Sequence, residues 1–431
     1  MKDRALICSV GGSHEPVVTA ICETEPEFVS FLCTDRDPAT NRPGSRIQVE
    51  GAGSVIHARR GDATPTLPNI PAMAGLANDR YEVRIVAADD LDEVFAQART
   101  AIAEMRCRLP AGTRLIADYT GGTKTMTAGL VMAALECEDV ELRLVTGARG
   151  DLVRVHDGTQ YSVPASVEGA RLHRAMAPYL RAWERFGYAE AARGLRAMPT
   201  PVNTALRAEW QIARDLSAVF DAWDRFDHLG ALRGLQRYQQ RVSALAGPYF
   251  RNLEILNAPD QDLRKEPARL FDLWRNALRR AAQGRYDDAV ARGYRLIEWT
   301  AQWLLRARAG IDTADIPEDR VPAGSKVPAN RNGKRQAGLF AAWELVATYV
   351  PGTPAAFALA ERSRLLEHLT ARNASILAHG YTPIGEEVWE RFREWIEGAF
   401  LPMLSEAGRE AGLRMDPLQL PDKPFWVSSA T

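Results

Sequence analysis

The side chains of this 431-residue chain best suited to chemistry are Arg372 and His379, in the run Arg372-Asn373-Ala374-Ser375-Ile376-Leu377-Ala378-His379. Seven steps of about 100° bring a helix to within roughly 20° of its starting direction. On a helix the two would share a face two turns apart, with Ser375 on a neighbouring track. A guanidinium holds phosphate oxygens, and an imidazole moves a proton near neutral pH. The pair therefore suits chemistry at a phosphodiester. Asn373 lies about 100° round the helix and suits orienting or packing work. A plainer reading exists: basic residues favour a helix C-terminus, and Gly380 supports a stop just after His379.

Two further segments suit an anion. Asp118-Tyr119-Thr120-Gly121-Gly122-Thr123-Lys124-Thr125 ends a β-like run and opens a helical one. Paired glycines allow close backbone approach, Thr123 is placed to cap the helix, and Lys124 adds charge beside free N–H groups. The order is not that of a Walker A loop, so ATP hydrolysis is poorly supported. Ser9-Val10-Gly11-Gly12-Ser13-His14-Glu15-Pro16 repeats the pattern after the first apolar run. Loops at the carboxyl ends of different strands in a doubly wound sheet can face one crevice, so the two together make a site for a phosphate-bearing ligand. His14 either contacts that ligand or is an exposed loop residue without a role.

The elements that position these residues follow from periodicity. Strands are expected at Ala5–Ser9, Glu27–Cys33, Tyr81–Ala87, Arg114–Tyr119 and Val140–Thr146. A hairpin should follow, turning at Asp157-Gly158 between Leu152–His156 and Gln160–Val163. Helices should start at Pro16–Cys22 and cover about Asp90–Arg108 and Thr123–Glu136, with a Gly/Pro-rich stretch running through Pro71. Alternating strands and helices imply a Rossmann-like, mostly parallel sheet with an antiparallel addition at one edge. From Val167 to about Leu404 the pattern is helical. Tyr286, Ala289, Val290, Tyr294, Ile297, Ala301, Leu304 and Leu305 trace one apolar stripe. Glu298 and Gln302 on that helix are expected to be buried or interface polar residues. The polar stretch Pro317–Arg335, with Lys326, Arg331, Lys334 and Arg335, is either a solvated linker or an RNA-contacting loop. The fold class is α/β followed by all-α, divided as 1–165, a helical connector at 166–268 and a terminal bundle at 269–431.

Hydrophobic content of 46% and charged content of 25% describe a soluble globular protein too long for one ordinary core. Its 54 basic and 55 acidic side chains nearly cancel, so nucleic acid could be met only by local patches. Cys8, Cys22, Cys33, Cys107 and Cys137 form no ligand spacing, which argues against structural zinc and a disulfide framework. Core thiols are the expectation for most of them. The apolar run Ala5–Val10 is too short for a signal peptide, and nothing approaches the roughly 20 residues that span a bilayer. A cytoplasmic location is expected.

With both parts read, the chain resembles the CRISPR-associated ancillary ribonucleases of type III systems, built from an N-terminal CARF domain and a C-terminal HEPN domain. The Asp118–Met126 run is close to the CARF ligand-loop signature, and Gly11-Gly12-Ser13 falls where the second loop is expected. Arg372-Asn373 through His379 looks like the HEPN motif, and Arg285–Glu298 like an earlier helix of the same subgroup. The resemblance covers about 1–165 and 270–405. It implies a homodimeric single-stranded RNA endonuclease that needs no metal or other cofactor and is activated by a cyclic oligoadenylate, tetra- or hexa-adenylate. Arg372, Asn373 and His379 would be catalytic, and attack by the ribose 2′-OH would leave a 2′,3′-cyclic phosphate. Gly11, Gly12, Ser13, Thr120, Gly121, Gly122, Thr123 and Lys124 would bind the activator. The alternative is a CARF-type sensor whose helical half only binds a partner or nucleic acid.

Overall fold

The computed structural model describes residues 3–51, 68–147, 159–321, 327, 329, 332–373, 377, 380–414 and 417–426, with the side chains of 241–245 and 369–373 left aside. The chain divides into two compact units, Met1–Ala175 and Met176–Thr431.

Six strands form one sheet in the first unit: β1 (Arg4–Ser9), β2 (Phe28–Cys33), β3 (Tyr81–Ile85), β4 (Arg114–Asp118), β5 (Val140–Thr146) and β6 (Tyr161–Pro164). Their order is β3-β2-β1-β4-β5-β6. The first five are parallel, and β6 runs antiparallel to β5 at the edge. The mostly parallel Rossmann-like sheet read from the sequence is thus present. The antiparallel partner of β6 is β5; the expected hairpin strand Leu152–His156 and its turn lie outside the described residues.

Parallel sheets are covered on both faces, so their strands read as continuous apolar runs. In β1 the side chains alternate between two cores. Ala5 and Ile7 join the Leu91–Arg108 and Lys124–Leu135 helices, while Leu6 and Cys8 join Val17 and Ile21 of the Glu15–Thr24 helix. Strand order reverses between β1 and β4. In doubly wound sheets that crevice at the carboxyl ends is where ligands bind.

The second unit is helical. One buried cluster runs from Trp183 to Leu420 and includes Trp223, Trp274, Trp343 and Trp389. The Lys265–Ala282 helix passes through position 268 without a break. On the Tyr286–Leu304 helix the expected stripe is the buried face, with Ala289, Val290, Tyr294, Ile297, Ala301 and Leu304 all in the core. Among the described residues no helix is long and apolar enough to cross a membrane.

Candidate ligand cleft and catalytic segment

The turns after β1 and β4 touch at the point where strand order reverses. A Cβ added to Gly11 would lie 2.6 Å from the Gly122 nitrogen, so the contact is backbone on backbone and tolerates no side chain. Gly122 has φ +90°, a left-handed conformation that favours glycine. The Ser9 hydroxyl donates to the Gly121 carbonyl at 2.6 Å and fastens the two turns together.

Thr120 and Thr123 hold the β4 turn in shape. The Thr120 hydroxyl accepts from the Val145 N–H at 2.6 Å. The Thr123 hydroxyl accepts from the Met126 N–H at 3.2 Å, the N-cap expected from the sequence, and donates to the Ala88 carbonyl at 2.5 Å. Asp118 ends β4 at 1% exposure. Its Oδ1 accepts from the Thr120 N–H at 3.0 Å, while Oδ2 has no hydrogen-bond partner. Burial pushes this carboxyl up to about 6, against the opposing pull of the Thr120 bonds and Arg143.

A cleft of about 200 Å³ opens between the turns, lined by Val10, Gly11, Gly12, Thr34, Pro43, Gly44, Ser45, Gly122, Thr123 and Met126. Of the activator residues expected from the sequence, Gly11, Gly12, Gly122 and Thr123 line it. Thr120 and Gly121 brace it from behind, and Ser13 and Lys124 are exposed beside it in sequence. The sequence reading missed Thr34, Pro43, Gly44 and Ser45. The available signal was a Gly/Pro-rich stretch leaving the carboxyl end of β2, where a doubly wound fold places ligand contacts. His14 is not an exposed loop residue; it is 6% exposed, with Nε2 3.5 Å from Glu15 Oε1, and is not among the lining residues.

Two cysteines fit the expected core thiols. Cys8 and Cys33 are buried, and burial raises both thiols, Cys33 to about 12. Cys22 and Cys107 are exposed on their helices, and Cys137, in the loop after the Lys124–Leu135 helix, is half-buried against the sheet core.

In the second unit Arg372 and Asn373 are the last two residues of the Arg362–Asn373 helix. Their side chains, and Ser375 and His379 altogether, lie outside the described residues. Leu377 lies in a turn and is half exposed, and the rest of the stretch from Ala374 through His379, where the shared helix face was expected, lies outside the described residues.

What holds this helix is well defined. Glu361, just before it, accepts from Trp395 Nε1 at 2.8 Å, and Arg362 bonds Glu344 at 2.8 Å. His368, one turn before Arg372, packs its ring 4.6 Å from that of Trp395 and 5.2 Å from that of Phe392. Burial lowers the His368 imidazole below its usual range; Glu367 opposes this, and Arg364 and Arg391 reinforce it. The sequence reading passed over His368, although its spacing from Arg372 puts both on one helix face.

Arg295 donates to Glu298 at 3.0 Å and to Gln302 at 3.4 Å, so those two half-buried residues are partnered along their own helix. In the polar stretch after Ile316, Lys334 pairs with Asp315 at 2.9 Å and Arg335 with Glu318 at 2.8 Å. These two cations are held by carboxylates. Lys326 and Arg331 lie outside the described residues. Among the described residues no cluster of three or more His, Cys, Asp or Glu is arranged to hold a metal ion.

Residues 260–401, which include Arg372 and His379, match the family model of the Csm6 HEPN domain. No curated protein matches the chain. Among solved structures it is similar in fold to Enterococcus italicus Csm6 bound to cyclic hexa-2′-fluoro-hexa-dAMP. The TM-score is 0.53 at 10% identity, over 94% of this chain and 95% of that one.

Proposed function

We propose that this chain, which has the architecture of the CARF–HEPN CRISPR ribonucleases, is an RNA endonuclease switched on by a cyclic oligoadenylate. Residues 1–165 act as the sensor, 269–431 as the nuclease, and 166–268 connect them. One observation carries the reading: two glycine turns meet at the strand-order reversal of a chain whose residues 260–401 match the Csm6 HEPN domain. The first feature is an anion-accepting cleft, and the second contains a guanidinium and an imidazole seven residues apart.

In this reading Gly11, Gly12, Ser13, Thr120, Gly121, Gly122, Thr123 and Lys124 bind the activator. Backbone N–H groups at the start of the Lys124–Leu135 helix meet its phosphates. A ring of identical nucleotides matches a twofold axis, so a homodimer binds one ring across its symmetry axis. The dimer also pairs two Arg372/His379 segments into one cleft. Arg372 clamps the scissile phosphate and stabilises developing charge, and Asn373 orients the segment. One His379 takes the proton from the ribose 2′-OH, and the other protonates the departing 5′-oxygen. The product end is a 2′,3′-cyclic phosphate, and no metal takes part.

End-group analysis of the products tests the chemistry. Cleavage in EDTA should leave 2′,3′-cyclic phosphate ends, and a single 2′-deoxy substitution at the cut position should block that cut. Products with 3′-hydroxyl ends, or equal cutting of the deoxy-substituted strand, would overturn the mechanism.

A further inference from the structure

The cleft has a third wall that neither glycine turn supplies. Thr34, Pro43, Gly44 and Ser45, four of its lining residues, come from the segment that leaves β2. That segment is built rather than draped. The Thr34 N–H donates to the Ser45 hydroxyl at 3.0 Å, and the Ser45 N–H donates to the Thr34 hydroxyl at 2.9 Å. Arg46 N–H closes the loop on the Thr34 carbonyl at 3.0 Å. A Cβ on Gly44 would collide with the Thr34 and Asp35 carbonyls, so only glycine lets the strands of this loop approach.

Gln48 links the wall to the β1 turn. It is 0% exposed, its Nε2 donates to the Gly11 carbonyl, and its Oε1 has no hydrogen-bond partner. A buried amide oxygen left unpaired costs free energy, and burial of a polar group is normally compensated by a bond. The wall also has a spare donor. The two hydroxyls accept from each other's backbone, while the contact between them is 3.4 Å, too long for a strong bond. The Ser45 hydroxyl also bonds the Cys33 thiol, so the Thr34 O–H, held only by that long contact, is the donor left for an acceptor in the cleft.

We infer that the segment Thr34–Gln48 is part of the nucleotide site. The Thr34 hydroxyl donates to a sugar or phosphate oxygen of the ligand, Ser45 holds Thr34 in place, and Gln48 is a positioning residue that fixes the Gly11 peptide. The inference rests on the reading of the cleft as a cyclic-oligoadenylate site, and it assigns to this wall the discrimination between ring sizes.

The test is calorimetric titration of the full-length protein with cyclic tetra-adenylate and cyclic hexa-adenylate. Wild type is compared with Thr34→Val, Thr34→Ser, Gln48→Met and Lys124→Ala, and each unfolding midpoint is measured alongside. Thr34→Val should weaken the tighter ring by about fivefold or more, the loss of one hydrogen bond, and shift the affinity ratio of the two rings. Thr34→Ser should restore both. Gln48→Met should weaken both rings, because it frees the Gly11 peptide they share. Unchanged affinities in Thr34→Val and Gln48→Met, with binding lost in Lys124→Ala, would overturn the third wall and leave the two-turn site standing. A lowered unfolding midpoint in Thr34→Val with an unchanged ring ratio would also overturn it, as the mark of a purely structural residue. If wild type binds neither ring, the sensor reading itself fails and this inference fails with it.

Discussion

Replacing Gly11 by alanine tests the contact on which the cleft is built. The new Cβ would stand 2.6 Å from the Gly122 nitrogen and 3.1 Å from its Cα. Ordinary contact begins at 3.4 Å, so the turns must part by about 0.8 Å, and overpacking of this kind costs about 1–3 kcal/mol. Both partners are backbone, so no flexible side chain can yield instead. If the turns part in the free protein, ligand must draw them together again, and the cost emerges as roughly a 5- to 150-fold loss of affinity. If the Ser9–Gly121 bond holds them together, the same cost emerges as lost folding stability. Cyclic hexa-adenylate titration and urea unfolding on one preparation measure both shares. Gly12→Ala is the comparator for stability, since nothing lies within 4 Å of its added Cβ. A Gly11→Ala protein with wild-type affinity and wild-type stability would refute the touching-turn geometry.

Three further outcomes follow from buried charge and packing. Asp118 has a folded-state pKa raised to about 6 from 3.8, so the native state holds its proton more tightly than the unfolded chain. Its contribution makes stability fall as pH rises from about 4 to about 6, by at most about 3 kcal/mol; urea unfolding against pH should show Asp118→Asn flattening that slope. His368 is shifted the other way, below 6.5, so its contribution to stability is present above that value and is lost as pH falls. His368→Phe should keep the ring packing on Trp395 and remove this acid-side loss in thermal melts and in RNA cleavage. Asp224 accepts from Arg279 at 2.7 Å, from Asn276 at 2.8 Å and from Arg280, and Arg279 is 0% exposed. Asp224→Ala leaves a buried cation unpaired, which should cost about 3–5 kcal/mol in an unfolding titration.

Much of the first unit was legible in the sequence because strand and helix periods differ and glycine pairs punctuate them. Val140–Thr146 was read to its boundaries, and Thr123 was read as the cap it is. The β4 signature named the turn that meets the β1 turn. What stayed hidden needed tertiary contact. Nothing in the spacing shows that Gln48 reaches Gly11 across 37 residues, or that Thr34 and Ser45 lock to each other. His14 looked exposed because its neighbours are polar, yet the fold buries it. In the helical unit the stripe from Ala289 to Leu304 was clear from its 3.6-residue period. The partner of that stripe was not, since local period does not say which faces meet; Tyr294 against Phe392 is a long-range choice. The expectation that Arg372 and His379 share one helix face rests on angular arithmetic, and His379 lies outside the described residues.

Coupling between the two ends of the chain is tested most directly by RNA cleavage in EDTA, with and without cyclic tetra- or hexa-adenylate, in wild type, Lys124→Ala, Arg372→Ala and His379→Ala. The account predicts cutting by wild type only with the effective ring. Lys124→Ala should need more activator to reach the same rate, whereas Arg372→Ala and His379→Ala should bind activator normally and cut nothing. Cutting that ignores the rings, or that survives in His379→Ala, would contradict it.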